Sequence, residues 1–289
     1  MNRPNYALVE TNNQAMLEDL KKRAKLLRWR IIETSHKAGV PHLGSCLSCI
    51  DILTALYFSE LRIDPKNPLW PGRDRFILSK GHGAPALFQV LAMRGYYPES
   101  MLENYGEDGG LFAEHPPAPR ELPGIEAATG SLGHGLPIGL GMALAARMHK
   151  QDYRVYALLG DGECNEGTVW EAAMLAAAQK LNNICVIIDF NKWQATDRSQ
   201  EVMALDPLAD KWRAFGWNAF EMDGHDMENI LDTLKHFPSE NRPTAIIAHT
   251  VKGSGISFME DNNNWHYRIP SPEDLIKAKA ELKLEVEPV

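Results

Sequence analysis

Short apolar runs, separated by stretches with helical spacing, are the dominant pattern along the chain. Four β-rich runs lack the polar–apolar alternation of a half-exposed strand: Arg75–Leu78, 155–159, Ile184–Phe190 and 244–248. Continuous apolar strands between helices are typical of a parallel sheet covered on both faces. The pattern therefore predicts an α/β fold with a doubly wound, mainly parallel sheet and helices on both faces, in a single domain over residues 1–289.

Helices are predicted wherever apolar residues recur every three or four positions. The first has Leu20, Ala24, Leu27 and Ile31 in this spacing, with Thr11 as the expected N-cap and Gly39 as the expected end, and it opens a helical segment over residues 1–60. Further helices are expected over 48–61, Ala84–Arg94 and 136–150, and from residue 166 onwards. Ser271-Pro272-Glu273-Asp274 has the composition of a helix start and predicts a short C-terminal helix over 272–284.

Composition narrows the class of protein. The 289 residues include 30 Lys and Arg against 38 Asp and Glu, a net charge of −8 that disfavours nucleic acid or an anionic membrane as partner. One basic cluster in the first helix is interpreted as a solvated face: Lys21, Lys22, Arg23, Lys25, Arg28 and Arg30. No apolar run reaches the ~18 residues of a membrane helix, and the first residues lack the apolar segment of a signal peptide. The four cysteines are too few for a disulfide scaffold, so we expect a cytoplasmic protein with packed thiols.

Candidate chemistry follows two of the predicted strands. Gly160-Asp161-Gly162 comes directly after the second run, and Asn191 comes directly after the third, 30 positions beyond Asp161. Ligands of such sheets bind at the carboxyl ends of the strands. An Asp, an Asn, a backbone carbonyl and a diphosphate together would satisfy the oxygen preference of Mg²⁺. A Gly-Asp-Gly segment alone is common in turns, but its pairing with a strand-end Asn predicts a metal and diphosphate site.

The segment Gly160-Asp161-Gly162 … Asn191 resembles the thiamine-diphosphate fingerprint. The surrounding sequence, from about residue 38 to 266, is similar to transketolases, especially to the N-terminal subunit of split, two-chain transketolases. The resemblance implies thiamine diphosphate as cofactor with Mg²⁺, or Ca²⁺ or Mn²⁺ in its place. Its implied metal ligands are Asp161, Asn191 and the carbonyl of Trp193. Gly160, Gly162 and Glu163 belong to the implied cofactor-binding set.

Other motifs occur in the order of the family. Ser79-Lys80-Gly81-His82-Gly83 resembles its Ser-Lys-Gly-His segment, and Glu114-His115-Pro116 its Gly-His-Pro segment. Gly130-Ser131-Leu132-Gly133 is similar to the loop that meets the diphosphate, with Leu132 near the thiazolium. Thr250-Val251-Lys252-Gly253 and Trp265-His266 match a late substrate-side loop.

The resemblance also implies roles for six ionisable residues. His42, His82, His115 and His266 would face the substrate, where imidazoles can donate to hydroxyls, exchange protons and stabilise an oxyanion. His82 and His266 would also contact the cofactor. Glu166 and Glu171 match acids at the subunit contact, linked through it toward an acid that the partner contributes.

Two departures from the family weaken the inference about the substrate. The family's Ser-Gly-His-Pro-Gly reads Val40-Pro41-His42-Leu43-Gly44 here, and Pro41 restricts the turn before His42. The family's Gly-Ser-Leu-Gly-Gln ends in His134, whose imidazole differs from an amide in donor geometry. The identities of the donor and acceptor sugars stay open.

The function implied is transfer of a two-carbon ketol unit from a ketose phosphate to an aldose, with the cofactor as electron sink. The acid that acts on the cofactor's pyrimidine ring lies in a second domain of the family, and the residues after His266 are too few for one. We therefore expect a partner, a C-terminal subunit with the pyrimidine-binding domain, in a dimer of heterodimers.

Three other interpretations are kept open. A subunit of another thiamine enzyme, similar to deoxyxylulose-phosphate synthase or an oxo-acid dehydrogenase, shares the fingerprint. A non-catalytic binding or regulatory subunit could retain the pocket. A Rossmann oxidoreductase is the weakest, because Gly139-Leu140-Gly141 lacks the third glycine of the dinucleotide motif.

Overall fold

A computed structural model describes the backbone of residues 6–284 and the side chains of residues 13–284. Five strands form one sheet in the order β1-β2-β3-β5-β4, with every neighbouring pair parallel. Their bounds are β1 Arg75–Leu78, β2 Val155–Gly160, β3 Ile184–Phe190, β4 Asn218–Asp223 and β5 Thr244–His249. The predicted doubly wound parallel sheet is confirmed, and its four predicted strands are right to within one residue.

Helices cover both faces of this sheet. In chain order they are α1 Tyr6–Ala38, α2 Leu43–Ser48, α3 Ile50–Ala55, α4 Ala84–Arg94, α5 Gly135–Met148, α6 Gly167–Ala178, α7 Ser199–Val202, α8 Leu208–Ala214, α9 Met227–Leu234 and α10 Pro272–Glu281. One apolar core lies between the sheet and α1–α4, α9 and α10, and the other between the sheet and α5, α6 and α8. On β2, Tyr156 and Leu158 enter the first core, whereas Val155, Ala157 and Leu159 enter the second. The strands are apolar on both faces because both faces are buried.

The first helix agrees with its prediction at one end only. It ends at Ala38, and Gly39 follows with φ +67°, the left-handed conformation that glycine favours after a helix. The expected N-cap at Thr11 is wrong, because the helix already begins at Tyr6 and its residues up to Glu10 continue the helical backbone.

The region after α1 differs from the single predicted helix over 48–61. The helix is interrupted at Cys49 (φ −103°, ψ 2°), which separates α2 from α3. A π-helical turn over Leu56–Glu60 follows α3. Every residue from Leu43 to Ala55 is buried. Tertiary packing on both sides therefore decides where this segment bends, and periodicity alone does not show it.

The remaining differences have similar physical causes. The predicted start of α10 is confirmed, since Ser271 and Asp274 form a capping box, although the helix ends at Glu281. Strand β4 was not predicted, because it is a half-exposed edge strand without a continuous apolar run. The basic cluster of α1 is not wholly a solvated face: Arg28 is buried and pairs with Asp51.

The described residues agree with the sequence on two points, the lack of a membrane-spanning helix and the state of the cysteines. No helix between residues 6 and 284 combines the length and apolar character needed to cross a membrane. Cys46, Cys49, Cys164 and Cys185 are all free and buried, as expected of packed thiols. The single-domain assignment over 1–289 stays a prediction, and its first five and last five residues lie outside the described part.

Candidate functional site

The candidate site lies at the carboxyl edge of the sheet, where four strands end side by side. The register pairs Gly160 of β2 with Asp189 of β3, and Asp189 with Ala248 of β5. Asp161, Asn191 and Thr250 therefore leave neighbouring strands at the same level. The end of β1 adds the segment from Ser79 to Gly83, whose Ser79 N–H bonds to Leu158 O at 2.9 Å. The fold thus brings the two strand-end motifs together, as their spacing predicted.

A buried carboxylate, Asp189, organises the floor of this site. Its carboxylate accepts hydrogen bonds from Lys80 Nζ and Thr250 Oγ1, from Ser48 Oγ at 2.6 Å and from Asn191 Nδ2 at 3.3 Å. Burial by itself would raise the pKa of Asp189, but the charge and hydrogen bonds of Lys80 outweigh it and the pKa is lowered. Asp189 therefore stays ionised and ties β1, β3, β5 and α2 into one rigid edge.

Asp161 occupies the start of the loop after β2. Its Oδ1 accepts the Gly162 N–H at 2.9 Å, and its Oδ2 accepts the Lys192 N–H at 2.9 Å and the Ser199 hydroxyl at 2.7 Å. The carboxyl is 1% exposed, and burial raises its pKa to about 6. These three donors are neutral, so they hold the Asp161 carboxylate in place without balancing its negative charge. A bound cation would therefore stabilise the ionised carboxylate strongly.

Asn191 lies within the same turn after β3. Its Oδ1 accepts the Trp193 N–H at 3.1 Å, and the intervening Lys192 has φ +69°. The strained Lys192 backbone folds the chain back, so that the Asn191 amide and the Trp193 backbone lie next to each other. Arg198 stacks over the Trp193 ring at 3.8 Å and pairs with Asp261, which closes this loop on the outside.

The donor set fits a divalent cation that takes most of its ligands from a bound diphosphate and water. The chain offers one carboxylate, Asp161, and one amide oxygen, Asn191, at adjacent strand ends, both hard oxygen ligands. Within the described residues no group of three or more His, Cys, Asp or Glu could hold a metal by itself. The adjoining Gln194 has a buried amide nitrogen with no hydrogen-bond partner in the described part of the chain, so the turn also holds an unused donor.

Glu163 connects three loops around the pocket. Its carboxylate accepts hydrogen bonds from Ser79 Oγ, from the Gly133 N–H at 2.8 Å and from the Gly160 N–H at 3.1 Å. Burial raises the pKa of Glu163, and the three donors oppose that rise. Both carboxylate oxygens of Glu163 are already bonded to these three loops. Glu163 therefore holds the predicted cofactor-binding loops in position.

The predicted diphosphate loop at Gly130–Gly133 lies against the end of β1. A Cβ on Gly81 would come within 2.7 Å of the Thr129 carbonyl, so this close approach requires glycine. Gly133 has φ +83° and packs on Glu166 and Thr168. Ser131 is exposed and Leu132 half-buried, so the loop tip is open to a ligand.

Three of the four predicted histidines form a triangle beside this edge of the sheet. The ring centroids of His42 and His266 are 5.0 Å apart, those of His42 and His82 5.5 Å, and those of His82 and His266 5.6 Å. Burial lowers the pKa of all three, for His266 to about 3, so each imidazole is neutral at pH 7. His42 adopts φ +74°, and its buried Nδ1 has no hydrogen-bond partner among the described residues.

The other predicted residues lie around this triangle or outside it. The ring of His115 is 3.1 Å from where a Cβ on Gly130 would be, so it lies beside the predicted diphosphate loop, and it is near enough to His42 and His82 to lower their pKa values. Glu166 and Glu171 are exposed at the start of α6 and do not join the cluster. His134 is also exposed, and its Nδ1 lies 3.1 Å from Leu132 O.

Lys252 is the main polar residue that our sequence interpretation left without a role. Its side chain is 1% exposed and donates to Asn263 Oδ1 at 2.6 Å and to His266 Nδ1 at 3.1 Å. Burial, together with the charge of Lys80, lowers its pKa to about 8. Among the described residues these two are its hydrogen-bond partners, and neither is a carboxylate. The signal in the sequence was a lysine in a glycine-rich turn directly after a buried strand.

Comparison with known proteins agrees with this geometry. Residues 19–288 match the family model described as transketolase, thiamine diphosphate binding domain. The chain is similar to an apulose-4-phosphate transketolase subunit of Phocaeicola vulgatus, with 42% identity over 94% of this chain and 96% of that protein. It is also similar to the 6-deoxy-6-sulfo-D-fructose transketolase subunit SqwG of a Clostridium species, with 41% identity over 92% of this chain and 97% of that protein.

A solved structure extends the similarity to the fold. Transketolase from Campylobacter jejuni superposes with a TM-score of 0.87 at 30% identity, covering 92% of this chain and 43% of that one. The chain thus spans nearly the whole of the subunits named above and less than half of this transketolase. On the family match and the identity to these subunits, the chain belongs to the transketolase family and contains its thiamine diphosphate binding domain.

Proposed function

We propose that this chain is the diphosphate-binding half of a two-chain transketolase, which transfers a two-carbon ketol unit from a ketose phosphate donor to an aldose acceptor. The observation that carries the proposal is the meeting of Asp161 and Asn191 with Lys252 and the histidine triangle at one sheet edge. Oxygen ligands for a metal ion, a buried lysine for an anion and a set of neutral imidazoles at one sheet edge support a site that binds a metal diphosphate and a sugar together.

The floor of the pocket suits a metal-bound diphosphate. We assign Asp161, Asn191 and the carbonyl of Trp193 as ligands of Mg²⁺, with Ca²⁺ or Mn²⁺ as substitutes. The loop from Gly130 to Leu132, with Gly160 and Gly162, would lie against the cofactor. Lys252 would supply a positive charge, since its ammonium bonds to Asn263 and His266 and pairs with no carboxylate among the described residues. Thiamine diphosphate, when bound, supplies the electron sink that cleavage of a carbon–carbon bond beside a carbonyl needs.

The histidines act on the oxygens of the sugar. At pH 7 His42, His82 and His266 are neutral, so each can both donate and accept a hydrogen bond. The Lys252 ammonium donates to Nδ1 of His266, which leaves the Nε2 proton of His266 free to donate toward the pocket. We assign the three, with His115, to binding the carbonyl and hydroxyl oxygens of the donor and to proton exchange with them.

A partner subunit would complete this site. The names of the two subunit relatives support a two-chain enzyme, and the partner we propose carries the pyrimidine-binding domain. The exposed Glu166 and Glu171 on α6 would face it, in a dimer of heterodimers. The free, buried thiols are in keeping with the cytoplasm as the compartment.

Reconstitution of activity tests the proposal. This chain and a candidate pyrimidine-binding subunit from the same organism are purified separately and mixed with thiamine diphosphate and Mg²⁺. Ketol transfer from ketose phosphates is then followed by product analysis. We expect transfer by the mixture and none by either chain alone. Robust transfer by this chain alone, or cofactor-independent activity of the mixture, would contradict the proposal.

A further inference from the structure

Two exposed side chains border the histidine triangle and have no role in the function proposed above. The ring of Tyr267 lies 4.6 Å from that of His266 and 6.1 Å from that of His42, between centroids, and Tyr267 is 64% exposed. The carboxylate of Glu114 lies 3.9 Å from His42 Nε2, and its side chain is 49% exposed. Since His266 is buried, these two side chains mark the solvent side of the triangle.

The chemistry of this pair suits a polyhydroxylated chain. An aromatic ring packs against the C–H groups of a carbohydrate and carries a polar hydroxyl at its edge. A carboxylate is an acceptor for hydroxyl donors, and such charge-assisted hydrogen bonds are stronger than neutral ones. Tyr267 is 64% exposed, so its hydroxyl too is accessible to a ligand.

Tyr267 and Glu114 lie along the path that a substrate would take out of the site. If the imidazoles hold the two carbons that are transferred, then the rest of the sugar leaves the pocket on its open side. Buried charged groups lie on the protein side of the triangle: Lys252 contacts His266, and Lys80, which pairs with Asp189, is close enough to His82 to lower its pKa. The third and later carbons of the donor would therefore pass Tyr267 and Glu114.

We propose that Tyr267 and Glu114 form a subsite for the part of the sugar beyond the two transferred carbons, and so help to select the substrate. This inference rests on the proposed function, because it takes ketol transfer as the reaction. Neither residue is a catalytic residue in it. Both act on binding of the longer substrates, and the expected signature is an effect that depends on the length of the donor.

Donors of different length test the subsite in the assembled two-chain enzyme. The three-carbon donor hydroxypyruvate is compared with ketose phosphates of five to seven carbons. For Tyr267→Ala we expect kcat/KM to fall about tenfold with the long donors and less than about twofold with hydroxypyruvate. For Glu114→Gln we expect a loss of about threefold, again confined to the long donors. Tyr267→Phe keeps the ring and should retain most of the wild-type value.

Matched surface variants and a measurement of complex formation complete the design. Ile276→Ala, exposed at 72% on α10, and Glu121→Gln, an exposed carboxylate, should change none of these values. Equal losses with short and long donors, or weaker binding between the two chains with unchanged donor selectivity, would overturn the subsite. A wild-type complex that transfers no ketol unit would instead refute the proposed function, and the subsite with it.

Discussion

Lys80→Met tests the buried ion pair on which the floor of the site depends. Lys80 and Asp189 are 1% and 0% exposed at their side chains, and Lys80 Nζ also donates to Ser45 O at 2.9 Å. Removal of one partner from such a pair leaves an uncompensated buried charge, which costs about 3–5 kcal/mol of unfolding free energy. Three donors to Asp189 would remain, from Ser48, Thr250 and Asn191, and they place the expected loss nearer the lower end.

Denaturant titration of the purified chain measures this loss, and its pH dependence gives a second check. In the wild type the pKa of Asp189 lies below its usual range, so its stabilising contribution is present above that range and is lost as the pH falls through the lowered pKa. Without Lys80, burial raises that pKa instead. The Lys80→Met variant should therefore lose less stability at pH 5 than at pH 7, because protonated Asp189 needs no cation.

A surface pair and a double variant serve as controls. Lys235→Met removes an exposed partner of Asp232 and should cost less than about 0.5 kcal/mol. In Lys80→Met/Asp189→Asn no buried charge is left unpaired, so at least ~2 kcal/mol of the loss should be recovered as coupling energy. A loss below about 1 kcal/mol for Lys80→Met, or no recovery in the double variant, would refute the role of the pair.

Three further predictions concern the metal, the lysine and the backbone contacts of the pocket. A metal ion requires the ionised form of Asp161, whose pKa is about 6. The affinity for Mg²⁺, measured by calorimetry in the presence of thiamine diphosphate, should therefore weaken about tenfold from pH 8 to pH 5. Asp161→Ala should abolish this binding. Lys252 is cationic only below its pKa of about 8, so the affinity for thiamine diphosphate should fall between pH 7 and pH 9. A fall of equal size in Lys252→Met would contradict the role of Lys252 in binding the cofactor. Gly81→Ala should cost about 1–3 kcal/mol in denaturant titration. Gly141→Ala on α5 should be neutral or stabilising, because beyond its own helix backbone and chain neighbours the added Cβ would have no described atom within 4 Å.

The sequence predicted the parts of the fold that have unambiguous local signals. The strands Arg75–Leu78 and Ile184–Phe190 were found to the residue, because a short continuous apolar run between helices is typical of a buried strand. Strand β4 was missed because only Met222 is buried at its edge position, so the strand lacks the continuous apolar run by which the other four were found. The break at Cys49 was missed because both sides of it are equally buried, so no change in pattern marks it.

The candidate site divides in a similar way. Asp161 and Asn191 could be paired in advance, because the ends of parallel strands meet at one edge and β2 and β3 are neighbours. The histidine triangle came from the resemblance to a family, since His42, His82 and His266 are far apart in the chain. Asp189 and Lys252 were not predicted to matter: a charged residue inside or just after a buried strand acquires its meaning only from the partners that the fold supplies.

Titration of this chain with its partner subunit tests the central claim most directly. Ketol transfer is measured at a fixed concentration of the chain, with saturating thiamine diphosphate and Mg²⁺, while the pyrimidine-binding subunit is increased from zero. The account predicts no transfer at zero, a rise that saturates at one partner per chain, and no rise with the Asp161→Ala chain. Transfer without the partner, or a wild-type complex that assembles and stays inactive with every ketose phosphate donor, would contradict it.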